Sequence, residues 1–455
     1  MATTPGVTFK EISTIAPSVA EVATAIPAFV GYAEKTPTPP RPVRIRSMRE
    51  FETSFGGCVE DTIELTEGQN NIATQVEGTN TLTNELAFKT PKWLLWHSMQ
   101  LYFMNGGGPC WVHAKKIGNK ENPPAEGELI NLLKEFEKIS EPTLLVCPDA
   151  VNSTDRAAVY NAMQKQCTDL KDRFCIFDAI GTTDKSRDGL PASSSYAATY
   201  YPLLNCSLPF YGDASENNAT LLISETNADR KPSRKQLMRS DAPITVTPSK
   251  DDRSTWEIIR NTRTLLPPSA AIAGIYASVD RTRGVWKAPA NVALSGVIGP
   301  SVELSAEEHG ELNEDAQNGK SINVIKSNSA GDVLVMGART MDGNSNEWRF
   351  VSTRRFFIMV EESIANSVQW AVFEPNDANT WARVQSSVEN FLTQKWREGA
   401  LFGGSPAEAF SVSVGLGRTM TADDILRGIM RVNIAMRVVT PAEVVELRFS
   451  HKIIK

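Results

Sequence analysis

Between residues 93 and 180 the chain alternates short apolar runs with helical periodicity, and few folds accommodate that alternation. WVHAKKI (111–117), TLLVCPD (143–149) and RFCIFDAI (173–180) have the length and the β-branched and aromatic content of strands. Residues 93–103, 127–138 and 154–168 carry apolar side chains at helical spacing. Strands that alternate with helices predict an α/β layer around a mainly parallel sheet. IPAFVGYA (26–33) adds a buried strand, and the TPTPPRP run (36–42) after it cannot be helical. Gly106, Gly107 and Gly108 stop the first helix before the strand at 111.

The last hundred residues have a different rhythm. Trp381, Val384, Val388, Phe391 and Leu392 share one face of a helix predicted from Asp377 to Glu398, preceded by Pro375 and Asn376 and ended by Gly399. Residues 408–414 alternate as a strand, Thr421 with Asp424 forms a capping-box pattern, and Val432 to Val438 alternate again. After Pro441, the residues Val445, Leu447 and Phe449, with Ile453 in phase, alternate with Glu446, Arg448, Ser450 and Lys452. Such a terminal strand either tucks into the chain's own sheet or pairs with a neighbouring chain, and periodicity alone does not choose. Residues 1–25 read as an extended arm with a short strand near Val7 to Ile12. Residues 60–85 and 213–255 read as polar excursions, and the acidic run 303–320 as a solvated loop.

At 455 residues the chain exceeds what one core usually holds, so two or three domains are expected. The net charge of −6 is too mild to suggest nucleic acid or an anionic membrane as the main partner. No apolar run approaches the roughly 18 residues of a membrane span, and no secretory leader is visible at the N-terminus. The six cysteines are scattered without a CxxC pair, which suggests reduced core thiols.

A search for chemistry returns little. The four histidines, His97, His113, His309 and His451, form no metal-binding spacing. His97 in an apolar helix and His113 in a strand read as core residues, and His309 among the carboxylates of EEHGE (307–311) is a poor cation site. No serine sits in a GxSxG elbow. NGKS (318–321) fails as a phosphate loop because Glu314 stands where the second glycine is needed. No catalytic residue, metal site or cofactor is expected.

Several segments, in order along the chain, resemble the contractile tail sheath family of contractile phages, R-type bacteriocins and phage-tail-like injection particles. TPGV (4–7) with Glu11 and Ile12, IPAFVGYA (26–33), REFETSFGG (49–57) and LYFMNGGGPCWV (101–112) carry the N-terminal part of the likeness. RTRGVWKAPAN (281–291), NVIKSNSAGDVLVMGARTM (323–341), RRFFIMVEESI (354–364), VFEPND (372–377), FLTQKWREGALFGG (391–404), EAFSV (408–412) and PAEVVEL (441–447) carry the rest. The likeness is weakest at 58–85 and 205–260, where insertions are expected.

The resemblance implies an α/β plus α+β architecture. An outer α/β domain (26–345), subtilisin-like without a working triad, is inserted into an inner α+β domain (346–455), which the N-terminal arm (1–25) joins. The arms, with Val7, Phe9 and Ile12 at one end and Val445, Leu447, Phe449 and Ile453 in strand 443–453 at the other, would cross to neighbouring subunits. The implied function is a helical sheath that contracts and drives an inner tube through a target envelope. The implied partners are further copies of the chain, the tube protein, baseplate and cap proteins, and a sheath paralogue, without nucleic acid or membrane insertion. Synthesis would be in a bacterial cytoplasm, and the product a component of an assembled particle. Arg383, Lys395 and Arg397 are the candidate tube-facing residues, against the alternative of an ordinary solvated helix face. A static shell protein and a hydrolase on the α/β domain are the rival readings. Type VI secretion divides its sheath subunit between two chains, whereas both arms and the outer domain occur here on one.

Overall fold

The computed structural model describes residues 19–59, 62–66, 88–118, 127–210, 220–224, 244–246, 262–315 and 318–443. The chain divides into two compact units, Ala23–Arg355 and Met1–Val22 with Phe356–Lys455.

The larger unit begins with β1 (Pro27–Ala33), β2 (Val43–Ile45), α1 (Met48–Phe55), β3 (Thr62–Thr66), β4 (Phe88–Lys89), α2 (Leu95–Met104) and β5 (Cys110–Lys116). It continues through α3 (Glu128–Glu135), β6 (Leu144–Val146), α4 (Arg156–Leu170), β7 (Phe174–Asp178), β8 (Ala197–Tyr201), β9 (Leu204–Pro209), β10 (Thr220–Ser224), β11 (Ile244–Val246) and β12 (Arg263–Leu266). It then runs through α5 (Ser269–Arg283), β13 (Val292–Ala293), β14 (Val297–Pro300), α6 (Ala306–Asn313), β15 (Ile322–Ser327) and β16 (Val333–Val335) to α7 (Val351–Ser367), whose first turn it contains.

Nine strands form one sheet in the order β13-β16-β15-β8-β7-β6-β1-β5-β2. From β15 to β5 every pairing is parallel, and the antiparallel strands β16 and β2 flank that block. The interior strand β1, PAFVGYA, is buried at all seven positions. Only a strand covered on both faces tolerates so continuous an apolar run. Helices supply the cover: Leu129 and Leu133 of α3 and Val159, Tyr160 and Met163 of α4 pack into the core cluster that holds Val30, Leu145 and Phe177. Gly106, at φ +90°, ends α2 as its position in the glycine run predicts.

Two smaller sheets complete this unit, β14-β9-β12-β4 and β11-β10-β3. The second places strands β3, β10 and β11 within 60–85 and 213–255, which read from the sequence as polar excursions. The reading of the acidic run 303–320 as a solvated loop is corrected. Ser305 and Glu308 form a reciprocal capping box that opens α6, and Leu312 of that helix is buried. The S-x-x-E spacing outweighs the run of charge.

The smaller unit holds the rest of α7, then α8 (Ala378–Arg397), the single turn α9 (Pro406–Ala409), β17 (Phe410–Val414), α10 (Ala422–Leu426) and β18 (Val432–Met436). Asp377 caps α8 by accepting from the amides of Asn379 and Thr380, and Val384, Val388, Phe391 and Leu392 form its buried stripe. Thr421 and Asp424 make the predicted capping box of α10. β17 and β18 pair antiparallel as a two-stranded sheet.

Candidate functional site

In an open parallel sheet, ligands bind beyond the carboxyl ends of the strands where the strand order reverses. Here the reversal is at β1, which has β5 on one side and β6 on the other. The position is filled by protein. Asp149, just past β6, is buried and accepts from the backbone amides of Leu94 (2.6 Å) and Tyr32 (2.9 Å). It thereby ties the start of α2 to the end of β1. A Cβ at Gly31 would collide with the Asp149 carboxylate, so glycine is required for this close approach. One strand further along, Asp178 ends β7 and accepts from the amide of Ser269 at 2.7 Å, which fastens the start of α5. Two buried carboxylates thus cap two helices from outside those helices.

Burial pushes both carboxyls up to about 7, against the pull of the backbone amides and, for Asp178, of Ser269 and Arg156. The folded state therefore holds these protons at pH values where the unfolded chain, with ordinary carboxyls, has released them. Each group lowers stability by about 1.4 kcal/mol per pH unit as the pH rises through that window. Buried histidines of this unit, His97 above all, contribute the opposite slope in the same window, so the test is a difference: between pH 4 and 7 the urea midpoint of Asp178→Asn is expected to rise relative to that of the wild type. An identical slope in wild type and variant would show that Asp178 does not titrate there.

The three histidines among the described residues assemble no base. His97 is buried, and its Nε2 lies 3.1 Å from the Phe210 carbonyl and 3.3 Å from that of Pro209, so Nε2 carries the proton and donates. The Cys58 thiol, 3.9 Å away, meets that same donor nitrogen rather than a basic one. Burial holds the His97 imidazole down at about 4. His113 donates from Nδ1 to the Leu132 carbonyl at 3.2 Å, and burial lowers its pKa as well. Burial and the nearby Lys326 lower that of His309. No cluster of three or more metal-ligating side chains occurs among the described residues. No helix among them is long and apolar enough to cross a membrane.

The smaller unit offers a different kind of site. An apolar cavity of about 320 Å³ lies between α7, α8 and β18, lined in part by Phe357, Val360, Ile364, Val388, Val432 and Ile434. The chain's first described residues run along α7, where Ser367 Oγ accepts from the Ala20 amide at 3.2 Å and Ser363 Oγ from the Val22 amide at 3.0 Å. Lys395 of α8 does not reach the surface. It is 2% exposed and paired with Glu21 at 2.5 Å and Glu398 at 2.7 Å, which corrects its expected place on a tube-facing surface. Arg383 is half-buried with its guanidinium 4.3 Å over the Trp370 ring, and Arg397 is exposed. At about 100° per residue, Arg383 and Arg397 share one helix face within about 40°, while Lys395 stands about 120° round from Arg383. The predicted arm residues Val7, Phe9, Ile12, Val445, Leu447, Phe449 and Ile453 lie outside the described residues. Sequence reasoning missed the buried carboxylates and the cavity. The apolar face of Val432, Ile434 and Met436 was the available signal for the cavity.

Residues 344–452 match the phage tail sheath C-terminal domain and residues 127–341 the phage tail sheath protein central domain. The chain is 30% identical to a chain of the anti-feeding prophage helical sheath in its contracted state, with a TM-score of 0.67, covering 99% of this chain and 100% of that one. It also matches a putative prophage major tail sheath protein of Pseudomonas aeruginosa, 30% identical over 120 residues, and the tail sheath protein of Vibrio phage KVP40, 23% identical over 143 residues. These two matches span 30% and 20% of those proteins' own lengths. The chain belongs to the phage tail sheath family.

Proposed function

We propose that this chain is a sheath subunit that polymerises helically around an inner tube and contracts to drive the tube through a target envelope. The observation that carries this reading is the end-to-end likeness, at 30% identity, to a subunit of a contracted helical sheath. The larger unit is the outer, subtilisin-like domain, and the smaller unit with its N-terminal segment is the inner domain. Tube, baseplate, cap and paralogous sheath proteins are the partners. The subunit is made in a bacterial cytoplasm and works in a released or virion-like particle.

Two features support a chain completed by its neighbours. Among the described residues β17 and β18 form a sheet of two strands, which is marginal alone. Phe373 is fully exposed and held at φ +68°, unfavourable on both counts for an isolated subunit. The arms around Val7, Phe9 and Ile12 and around Val445, Leu447, Phe449 and Ile453 add strands to neighbouring subunits. Arg397, with Arg383 on the same face of α8, supplies weak ionic contact to the tube, of a strength that lets it slip during firing. Firing is a change between two packings of rigid subunits and uses no nucleotide. The subunit is not an enzyme, a reading supported by Asp149 in the sheet crevice and by the donor state of His97.

Electron microscopy of the purified chain tests this. Long hollow cylinders with helical striations are expected. A monodisperse monomer at high concentration would overturn the sheath reading, and specific labelling by a serine-hydrolase probe would overturn the non-enzymatic one.

A further inference from the structure

Five of the six thiols are buried, and two of them face each other. Cys167 lies in the last turn of α4 and Cys175 in β7, the neighbour of β6 in the parallel sheet. Their sulfurs are 3.0 Å apart, and both residues are fully buried in the cluster that includes Leu145, Met163 and Phe177. A disulfide measures about 2.05 Å, so closing the bond needs a displacement of about 1 Å shared between a helix end and a strand. The helix end is the softer partner. Leu170 is 39% exposed and Lys171 turns the chain at φ +62°, so the last turn of α4 can open without the sheet moving. No other pair of thiols is recorded in contact among the described residues. Cys58, the half-buried one, has its sulfur 3.9 Å from His97 and 3.8 Å from the Phe210 carbonyl.

We propose that Cys167 and Cys175 are a redox-closable pair, left as thiols in a reducing compartment and joined as a disulfide by a peroxide-class oxidant. One thiolate attacks hydrogen peroxide, the O–O bond breaks, and a sulfenic acid forms while the departing hydroxide takes a proton to become water. The second sulfur then attacks the sulfenic sulfur, and the hydroxyl leaves with a proton as a second water. Two thiols and one peroxide give one disulfide and two waters. The bond would staple α4 to β7 and is independent of whether the chain polymerises.

The test uses the full-length chain carrying Cys58→Ser, treated with hydrogen peroxide, alkylated in denaturant and digested with trypsin without reductant. Cleavage after Lys165, Lys171, Arg173 and Lys185 places the two cysteines in peptides 166–171 and 174–185. The expected product is one linked species, two hydrogens lighter than the two peptides together, with loss of two titratable thiols. The linked species should be absent from the Cys167→Ser variant and restored to two peptides by a phosphine. Recovery of both peptides as alkylated thiols would overturn the proposal, as would sulfinic acid at Cys167 or Cys175 without a link. A link from either cysteine to Cys110, Cys147 or Cys206 would overturn it equally.

Discussion

Asp280→Ala is expected to cost about 3–5 kcal/mol of folding stability, the range for breaking a buried ion pair by removing one partner. Asp280, in α5, binds Arg355 through two parallel contacts, 3.0 Å from Nη1 and 2.5 Å from Nη2, with the two side chains 7% and 3% exposed. Thr24 joins the same group: its hydroxyl donates to Asp280 at 2.6 Å, and its carbonyl accepts from Arg355 at 2.8 Å. The guanidinium lies 4.5 Å over the Tyr276 ring, and the Tyr276 hydroxyl is 2.7 Å from that of Tyr200. Alanine leaves a buried guanidinium with only a carbonyl and a ring face. Replacing both charges with apolar residues, Asp280→Leu with Arg355→Met, should recover most of the loss, because the expense lies in the orphaned charge. Urea midpoints of the single and double variants measure this. A single-variant loss below about 1 kcal/mol, the value of an exposed pair, would mean that the group does not hold the fold.

Removing residues 443–455 is expected to abolish cylinders while the larger unit keeps its urea transition. The segment's alternation of Val445, Leu447 and Phe449 with Glu446, Arg448 and Ser450 suits a strand with one apolar face. Among the described residues the sheet of β17 and β18 has two strands, one short of what independent stability needs. A charged double variant, Leu447→Glu with Phe449→Glu, should act like the truncation while keeping the chain length. Sedimentation and electron microscopy would show dispersed subunits. Intact cylinders from either variant would sink the proposal that this arm knits subunits together.

What was legible in the sequence was local. The helix expected from Asp377 to Glu398 is α8, Ala378–Arg397, because its cap and its apolar stripe both lie within twenty-odd residues of chain. The strands at 143–149 and 173–180 appear as Leu144–Val146 and Phe174–Asp178 for the same reason. What failed depended on distant partners. Lys395 looks like a solvated charge at the end of a helix, but it is buried and paired with Glu21, 374 residues away in sequence, as well as with the local Glu398. The sequence places Asp149 at the end of the strand 143–149, yet its role is set by amides at Tyr32 and Leu94. The capping box at Ser305 and Glu308 was locally readable, but the surrounding acidic run obscured it.

The group formed by Thr24, Asp280 and Arg355 bears on how such chains diversify. Thr24 and Arg355 stand at the two points where the polypeptide enters and leaves the larger unit, and one carboxylate grips both. A unit whose entry and exit share a single clasp is a cassette. It can be lengthened, shortened or exchanged without altering the span that the host segment must bridge, which is the condition under which domain insertion succeeds. The side chains that carry a load in one subunit would then also be the seam at which the larger unit is free to vary.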